Sequence, residues 1–431
     1  RALLNHLLSA INPARPGFVY FTPIRPAHYR VYSKPQEHFW CCVGTGMENP
    51  ARYGTFVYAR SEDGIYVNLF LASELRDPRY GLVLRQETAF PDEASTRLVL
   101  RLDKPADFTL RLRHPGWVAA KDFRVRVNGA PVDVDSTPSS YMAVRREWRD
   151  GDIVELDLPM RTTVERLPDG SNWHAILHGP VLLASPAGTH DLSAGEGRRA
   201  HIPMGTLEPL DRAPALIGSP ADIPAHVLAD RASGPLHFRI REIADPAPAQ
   251  GLPLVPFFRL HDQRYQIYFD VTSREARSAE QARLALTERA KLEREAATLA
   301  LVRVGEQQPE ADHAFFGEET ATGEHEGRRW RHGRVFGYTL RTGGATTAVL
   351  AVTYWGGDRG RSFDVMAGGS VVGVERLVGA EPGRFVERRY PLTPELLAGL
   401  KDGELPVRFV AHPGSLAGGV YEVRLLRANA P

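Results

Sequence analysis

Two adjacent residues, Cys41 and Cys42, carry the chain's most distinctive chemistry, and they are its only cysteines. Adjacent cysteines rarely bond to each other, because the small ring so formed strains the peptide between them. Free vicinal thiols serve either as small buried apolar side chains or as metal thiolates. Composition alone favours the first use. The neighbourhood shifts the balance, because His38, Phe39 and Trp40 precede the pair and Gly44 and Gly46 follow it, ahead of an expected helix. A thiol at a helix N-terminus ionises more readily, and zinc promotes this further. Two thiolates cannot complete a tetrahedral zinc site, so the remaining ligands must come from elsewhere. On the loop before the pair, His28 and Tyr29, with His38 and Trp40 closer in, are candidates for contact with a substrate, or for pinning the loop by their own packing. Near the other end, Trp330, Trp355 and Asp358 suggest a site for sugar or calcium, with an ion-paired turn as the plainer use of the GEHEGRRWR stretch. No G-x-S-x-G, no phosphate loop and no dinucleotide fingerprint in strand–helix context occurs.

The elements that must position these residues are mostly strands. The 431 residues are 43% hydrophobic, enough for packed cores, and the length suggests roughly two to four domains. A formal net charge of +1 speaks against a dedicated nucleic-acid binder, no apolar run spans a membrane, and two cysteines make no disulfide framework. Leu3, Leu4, Leu7, Leu8 and Ile11 predict one amphipathic helix over roughly 1–11. It reads as the end of a helix already under way, which makes a fragment of a longer protein the expectation. An aromatic, proline-broken stretch follows and reads as a long, partly buried loop. Pro50 opens a helix capped by Asn49, or kinks one begun at Gly46.

From about residue 64 the chain alternates in period two, with Asn128-Gly129, Asp150-Gly151 and Asp169-Gly170 as turns. Many evenly spaced strands without intervening helices predict an antiparallel β-sandwich. Residues 186–250 read as a loosely structured connection. A charged run over 273–300, capped by Ser273, predicts a solvated connecting helix, and 301–431 a second sandwich or jelly-roll.

The runs YFTPIRPAHYRVYS and FWCCVGTGMENPARYG resemble the end of the catalytic barrel of glycoside hydrolase family 127, the β-L-arabinofuranosidase group. The resemblance continues through IYVNLFLASEL, WRDGDIVELDLPM, LPDGSNWHAILHGPVLLA, TYWGGDRGRSFDV and AHPGSLAGGVYEVRLL, over nearly the whole chain. It implies a mainly β architecture: two antiparallel β-sandwich or jelly-roll domains preceded by a helical remnant of an (α/α)6 barrel. The division is 1–58 for the barrel remnant with its active-site loop, 59–272 for a sandwich with a loop-rich insertion, 273–300 for the helix and 301–431 for the last sandwich. It further implies a retaining glycosidase acting on arabinose-containing glycans. Cys41 would be nucleophile and zinc ligand, and Cys42 a zinc ligand. A zinc-bound thiolate attacks without a separate base, while a glutamate protonates the leaving oxygen and then activates water. The family's Glu-x-Cys ligands and acid/base lie upstream of the pair. Only 40 residues precede Cys41 here, and no third cysteine exists. The expectation is half a zinc site and an inactive chain, with a non-catalytic carbohydrate-binding or structural protein as the alternative. Compartment, periplasmic, secreted or cytoplasmic, is left open.

Overall fold

The computed structural model describes residues 1–133, 135–190, 192 and 208–428. They divide into two units, Arg1–Gln281 and Ala282–Pro431, mainly β with several antiparallel sheets.

The first unit opens on the apolar spacing noted above, but not as one α-helix. Leu3–Leu7 is a π turn and Leu8–Ala10 a 3-10 turn. Ser9 Oγ donates to the carbonyls of Asn5 (2.7 Å) and His6 (3.0 Å), a local bond that competes with the regular ladder. Asn5 fixes the turn to a strand, donating to Pro180 O and accepting from Leu182 N, both at 2.7 Å. Residues 11–40 form the expected partly buried loop, pinned by isolated bridges Ile11–Phe18, Val19–Tyr32 and His28–Tyr265.

The helix that follows spans Cys41–Val57. It starts well before Gly46 and runs through Pro50, so neither expected boundary is the real one. Trp40 precedes it in extended conformation, and its carbonyl accepts from Val43 N at 3.0 Å. With no capping side chain at Trp40, the sequence carries no start signal there. Gly46 is required where it sits: a Cβ there would lie 2.2 Å from the Phe18 ring.

Among the described residues, the expected sandwich over 59–272 contains two large apolar cores and a smaller cluster around Phe257 and Tyr265. In the first, strands Tyr58–Ser61, Gly64–Val67, Ala106–His114 and Ser140–Trp148 form one sheet. Ser73–Asp77, Leu82–Glu87, Ser95–Leu102, Ile153–Asp157, Arg124–Val127 and Ala130–Val132 form the other. Leu84, Leu98, Leu110, Leu112, Trp148 and Leu156 fill the space between. Asn128 and Gly129, with φ of 52° and 79°, make the tight hairpin that their types predict.

The second core belongs to a ten-stranded sheet that begins at Thr162 and ends at Thr272. The stretch read as a loose connection contributes Ala215–Ile217, Val227–Ala229, Phe238–Ile240 and Ala244–Asp245 to it. Their side chains join Ile176, Leu183, Leu254 and Phe269, and Leu4 from the opening turn joins the same cluster.

Helix Arg274–Ala297 begins as expected, with Ser273 Oγ accepting from Ala276 N at 3.2 Å, and crosses the boundary between the units. The second unit is a sandwich of a six-stranded and a five-stranded sheet around Val302, Phe336, Leu350, Phe363, Phe409 and Val423. Among the described residues, no helix is long and apolar enough to cross a membrane.

Candidate active site

The helix start at Cys41 has a chemical consequence, because it puts both thiols in the first turn, where backbone N–H groups have no intrahelical partner. Cys41 is exposed and Cys42 half-buried, and their sulfurs are 3.8 Å apart. Burial pushes the Cys42 thiol up, and the neighbouring Cys41 adds to it. A bound cation reverses that direction, since a coordinating thiol is deprotonated outright.

The spacing of the two sulfurs is that of two of the four ligands of a tetrahedral zinc site. Tetrahedral coordination with Zn–S of about 2.3 Å separates two sulfurs by about 3.8 Å. Among the described residues, no group of three or more His, Cys, Asp or Glu side chains converges as a metal site. Glu37 pairs with Lys34 at 3.7 Å, and Glu48 is exposed on the helix.

The four residues named for substrate contact are all buried in packing of the loop itself. His38 is 2% exposed; its Nδ1 accepts from Lys34 N at 3.0 Å, and its ring stacks on Trp40 with centroids 5.2 Å apart. Trp40 is buried and meets Tyr20 edge-on. Tyr29 is buried with Arg264 over its ring at 5.0 Å. His28 is buried, its Nδ1 accepts from Tyr29 N at 2.8 Å, and its backbone pairs with Tyr265.

Burial, with Arg264 and Arg25 adding to it, pushes His28 down from 6.5 to about 4. The unfolded chain therefore binds a proton that the folded one refuses between those values. His28 contributes stability above pH 6.5 that is lost as pH falls toward 4, up to about 3 kcal/mol. His28→Asn is expected to flatten the pH dependence of unfolding free energy over that window. Identical slopes for the two proteins in urea titrations would contradict this.

The residue that fixes the loop was not evident in the sequence. Arg30, 5% exposed, donates to the carbonyls of Ser9 and Leu260. Its guanidinium lies 4.4 Å from the Phe257 ring centroid, and Tyr265 and Tyr32 flank it at 5.6 and 6.0 Å. Around it, Asn12 donates to Asp262 (2.8 Å), Tyr32 bonds His261 (2.6 Å) and Tyr265 donates to Pro23 O (2.7 Å). The loop leading to the cysteines is thus bound to the chain around 257–266.

In the second unit, Trp355 packs against His325, Trp330 against His332, and Asp358 against Arg361. The same unit holds a Ser–His–Asp relay with no local motif: Ser362 Oγ to His412 Nδ1, and His412 Nε2 to Asp364, each 2.8 Å. His412 N also donates to Ser362 O, so the relay ties the turn after Ala411 to the strand Arg359–Ala367.

Comparison with known proteins divides the chain along the same cores. Residues 1–55 match the β-L-arabinofuranosidase GH127 catalytic domain, and 64–160 the GH127 middle domain. Residues 163–271 match a domain of unknown function and 293–426 a family of unknown function. Similar solved structures include a glycoside hydrolase (21% identity, 63% of this chain, 47% of that chain, TM-score 0.43). A GH127 β-L-arabinofuranosidase from Geobacillus stearothermophilus T6 gives 18%, 63%, 45% and 0.43. A GH127 β-arabinofuranosidase gives 20%, 62%, 44% and 0.43. The chain thus spans less than half the length of these structures. No curated protein matches it. The chain is mainly β, and its opening and middle segments resemble the catalytic and middle domains of a glycoside hydrolase. Its resemblance is to the GH127 β-L-arabinofuranosidases.

Proposed function

We propose that this chain is the C-terminal portion of a retaining, β-L-arabinofuranosidase-like glycoside hydrolase, with Cys41 as nucleophile and Cys41 and Cys42 as zinc ligands. One observation carries the reading: an exposed thiol in a helix's first turn, with a second sulfur 3.8 Å away at the edge length of a zinc–thiolate tetrahedron. The matches to the catalytic and middle domains support the family, whose named members act on arabinofuranosides.

Zinc, when bound, supplies the positive charge that keeps both thiols ionised at neutral pH. The Cys41 thiolate attacks the anomeric carbon, forming a C–S bond as the glycosidic C–O bond breaks. The leaving oxygen takes its proton from a general acid. The same group, now a base, activates the water that displaces sulfur and completes retention. Neither Glu37 nor Glu48 suits the acid/base task, since one is ion-paired and the other lies beyond the helix's first turn. The acid/base and remaining ligands belong, in this reading, to the rest of a catalytic domain. Phe39 (83% exposed), Met47 and Phe56 are apolar surface that such a domain would cover. His28, Tyr29, His38 and Trp40 act by holding the loop that leads to the thiols.

The test is release of nitrophenol from a nitrophenyl arabinofuranoside, together with zinc content. The chain alone is expected to give no turnover, and the chain joined to a full catalytic domain to turn over with one zinc per molecule. Turnover by the chain alone would overturn the assigned division of labour. A zinc-free but active full-length enzyme would overturn the metal assignment.

A further inference from the structure

In the second unit, strands Ala321–His325, Arg328–Gly333, Ala417–Arg427, Ala348–Trp355 and Phe385–Leu392 lie side by side in that order. The inner face of this sheet is apolar: Val352, Tyr354, Val420 and Val423 are in the core. Successive strand residues face opposite ways, so Trp355, next to buried Tyr354, belongs to the outer face. Over much of its area that face is polar and ion-paired, as in Arg424–Glu422 (3.0 Å) and Arg389–Glu387 (2.9 Å).

One end differs. Phe385 is directly opposite Trp355, their ring centroids 5.1 Å apart, and Tyr421 meets Phe385 at 4.8 Å. His325 abuts Trp355 at 4.5 Å. Trp330 lies over Gly323, where a Cβ would come within 2.5 Å of its ring, and it contacts His332 at 4.9 Å. Next to the rings, Asp358 receives Arg361 at 3.3 Å, and Arg361 reaches His332 Nδ1 at 3.2 Å. The carboxylate fits only because residue 419 is glycine: a Cβ there would sit 2.0 Å from Asp358 Oδ2. A cleft of about 50 Å³ adjoins the cluster, lined by Trp355, Asp358, Arg376 and Arg388 among others.

Trp355 and Phe385 are each half-buried on this outer face, Tyr421 is buried, and Arg328 already lies 4.4 Å from the Phe385 ring centroid, so Trp355 is the ring left to meet a ligand. A carboxylate and a guanidinium held side by side offer an acceptor and donors to adjacent hydroxyls. Their charges cancel, and of the charged groups lining the cleft Arg388 is paired with Glu381 at 3.5 Å, which leaves no strong demand for a charged ligand. Burial holds Asp358 above the usual carboxylate range, as expected for a partly desolvated, fixed acceptor. Ring faces for C–H groups and a balanced polar pair for hydroxyls are what a neutral sugar requires.

We infer that this end of the sheet is a non-catalytic binding site for a sugar residue of a neutral polysaccharide, with Trp355 as platform, braced edge-on by Phe385, and Asp358 and Arg361 as hydroxyl partners. The site is independent of the cysteine pair and goes beyond the catalytic proposal.

The test uses the full 431-residue chain in affinity electrophoresis with three probes: sugar-beet arabinan, wheat arabinoxylan and polygalacturonate. Retardation by arabinan or arabinoxylan is expected. Trp355→Ala and the near-isosteric Asp358→Asn are each expected to weaken it about tenfold with unchanged circular dichroism. Should Trp355→Ala misfold, Asp358→Asn decides alone. Retardation only by polygalacturonate, no retardation by either neutral probe, or full retention by Asp358→Asn would each overturn the site.

Discussion

Cys41→Ser, in a polypeptide carrying this chain with a full catalytic domain, is expected to abolish arabinofuranoside hydrolysis while retaining part of the zinc. A serine hydroxyl at the first helical position lacks the thiolate's nucleophilicity, and nothing within hydrogen-bond reach is assigned to deprotonate it. Loss of a covalent nucleophile costs on the order of 10⁴- to 10⁶-fold in kcat. Cys42→Ser is expected to lose activity together with metal. Cys42 is the more enclosed thiol, and its sulfur 3.8 Å from Cys41 is the second donor. Zinc content and initial rates separate the two variants. Normal rates in Cys41→Ser would remove it as nucleophile.

Arg30→Ala is expected to destabilise the first unit by about 3–5 kcal/mol, because it leaves two buried carbonyls without their donor and a cavity among aromatic rings. For a unit of this size that is roughly a 10 °C fall in Tm. The carbonyls belong to Ser9 and Leu260, and the rings to Phe257, Tyr265 and Tyr32. Arg30→Lys is expected to recover only part, since an ammonium lacks the planar fork that reaches both carbonyls. Unchanged melting of the alanine variant would show that the loop before the cysteines does not depend on this hub.

Much of the β architecture is legible along the chain, for reasons that particular strands make plain. Ser95–Leu102 alternates strictly, with Thr96, Leu98, Leu100 and Leu102 inward and Arg97 and Arg101 outward, so its period declares one buried face. Helix Arg274–Ala297 declares itself through its cap and composition. The second core within 59–272 is not legible in this way. Strands such as Trp173–His178 look the same whichever sheet they join, and Ala215–Ile217 and Phe238–Ile240 are too short to show a period. The helix start at Cys41 is hidden because Trp40 offers no capping side chain.

The site divides along the same line. The cysteine pair is conspicuous because its chemistry is local. Arg30 is not, because Leu260 and Phe257 lie more than 200 residues away in sequence. Trp330, Trp355 and Asp358 stand out by type, and Arg361 is only three residues from Asp358, whereas Phe385 becomes a partner of Trp355 only through strand register. The Ser362–His412–Asp364 relay is invisible for the same reason, its members being brought together by pairing of Arg359–Ala367 with Glu404–Ala411.

The central claim is that the Cys41 sulfur forms the bond to sugar. The direct measurement is peptide mass mapping of the full-length enzyme, acid-quenched during turnover of an activated arabinofuranoside. The account expects a pentosyl adduct on the peptide containing Cys41-Cys42, fragmenting to Cys41, and none in Cys41→Ser. An adduct on a carboxylate, or on Cys42 with Cys41 unmodified, would contradict it.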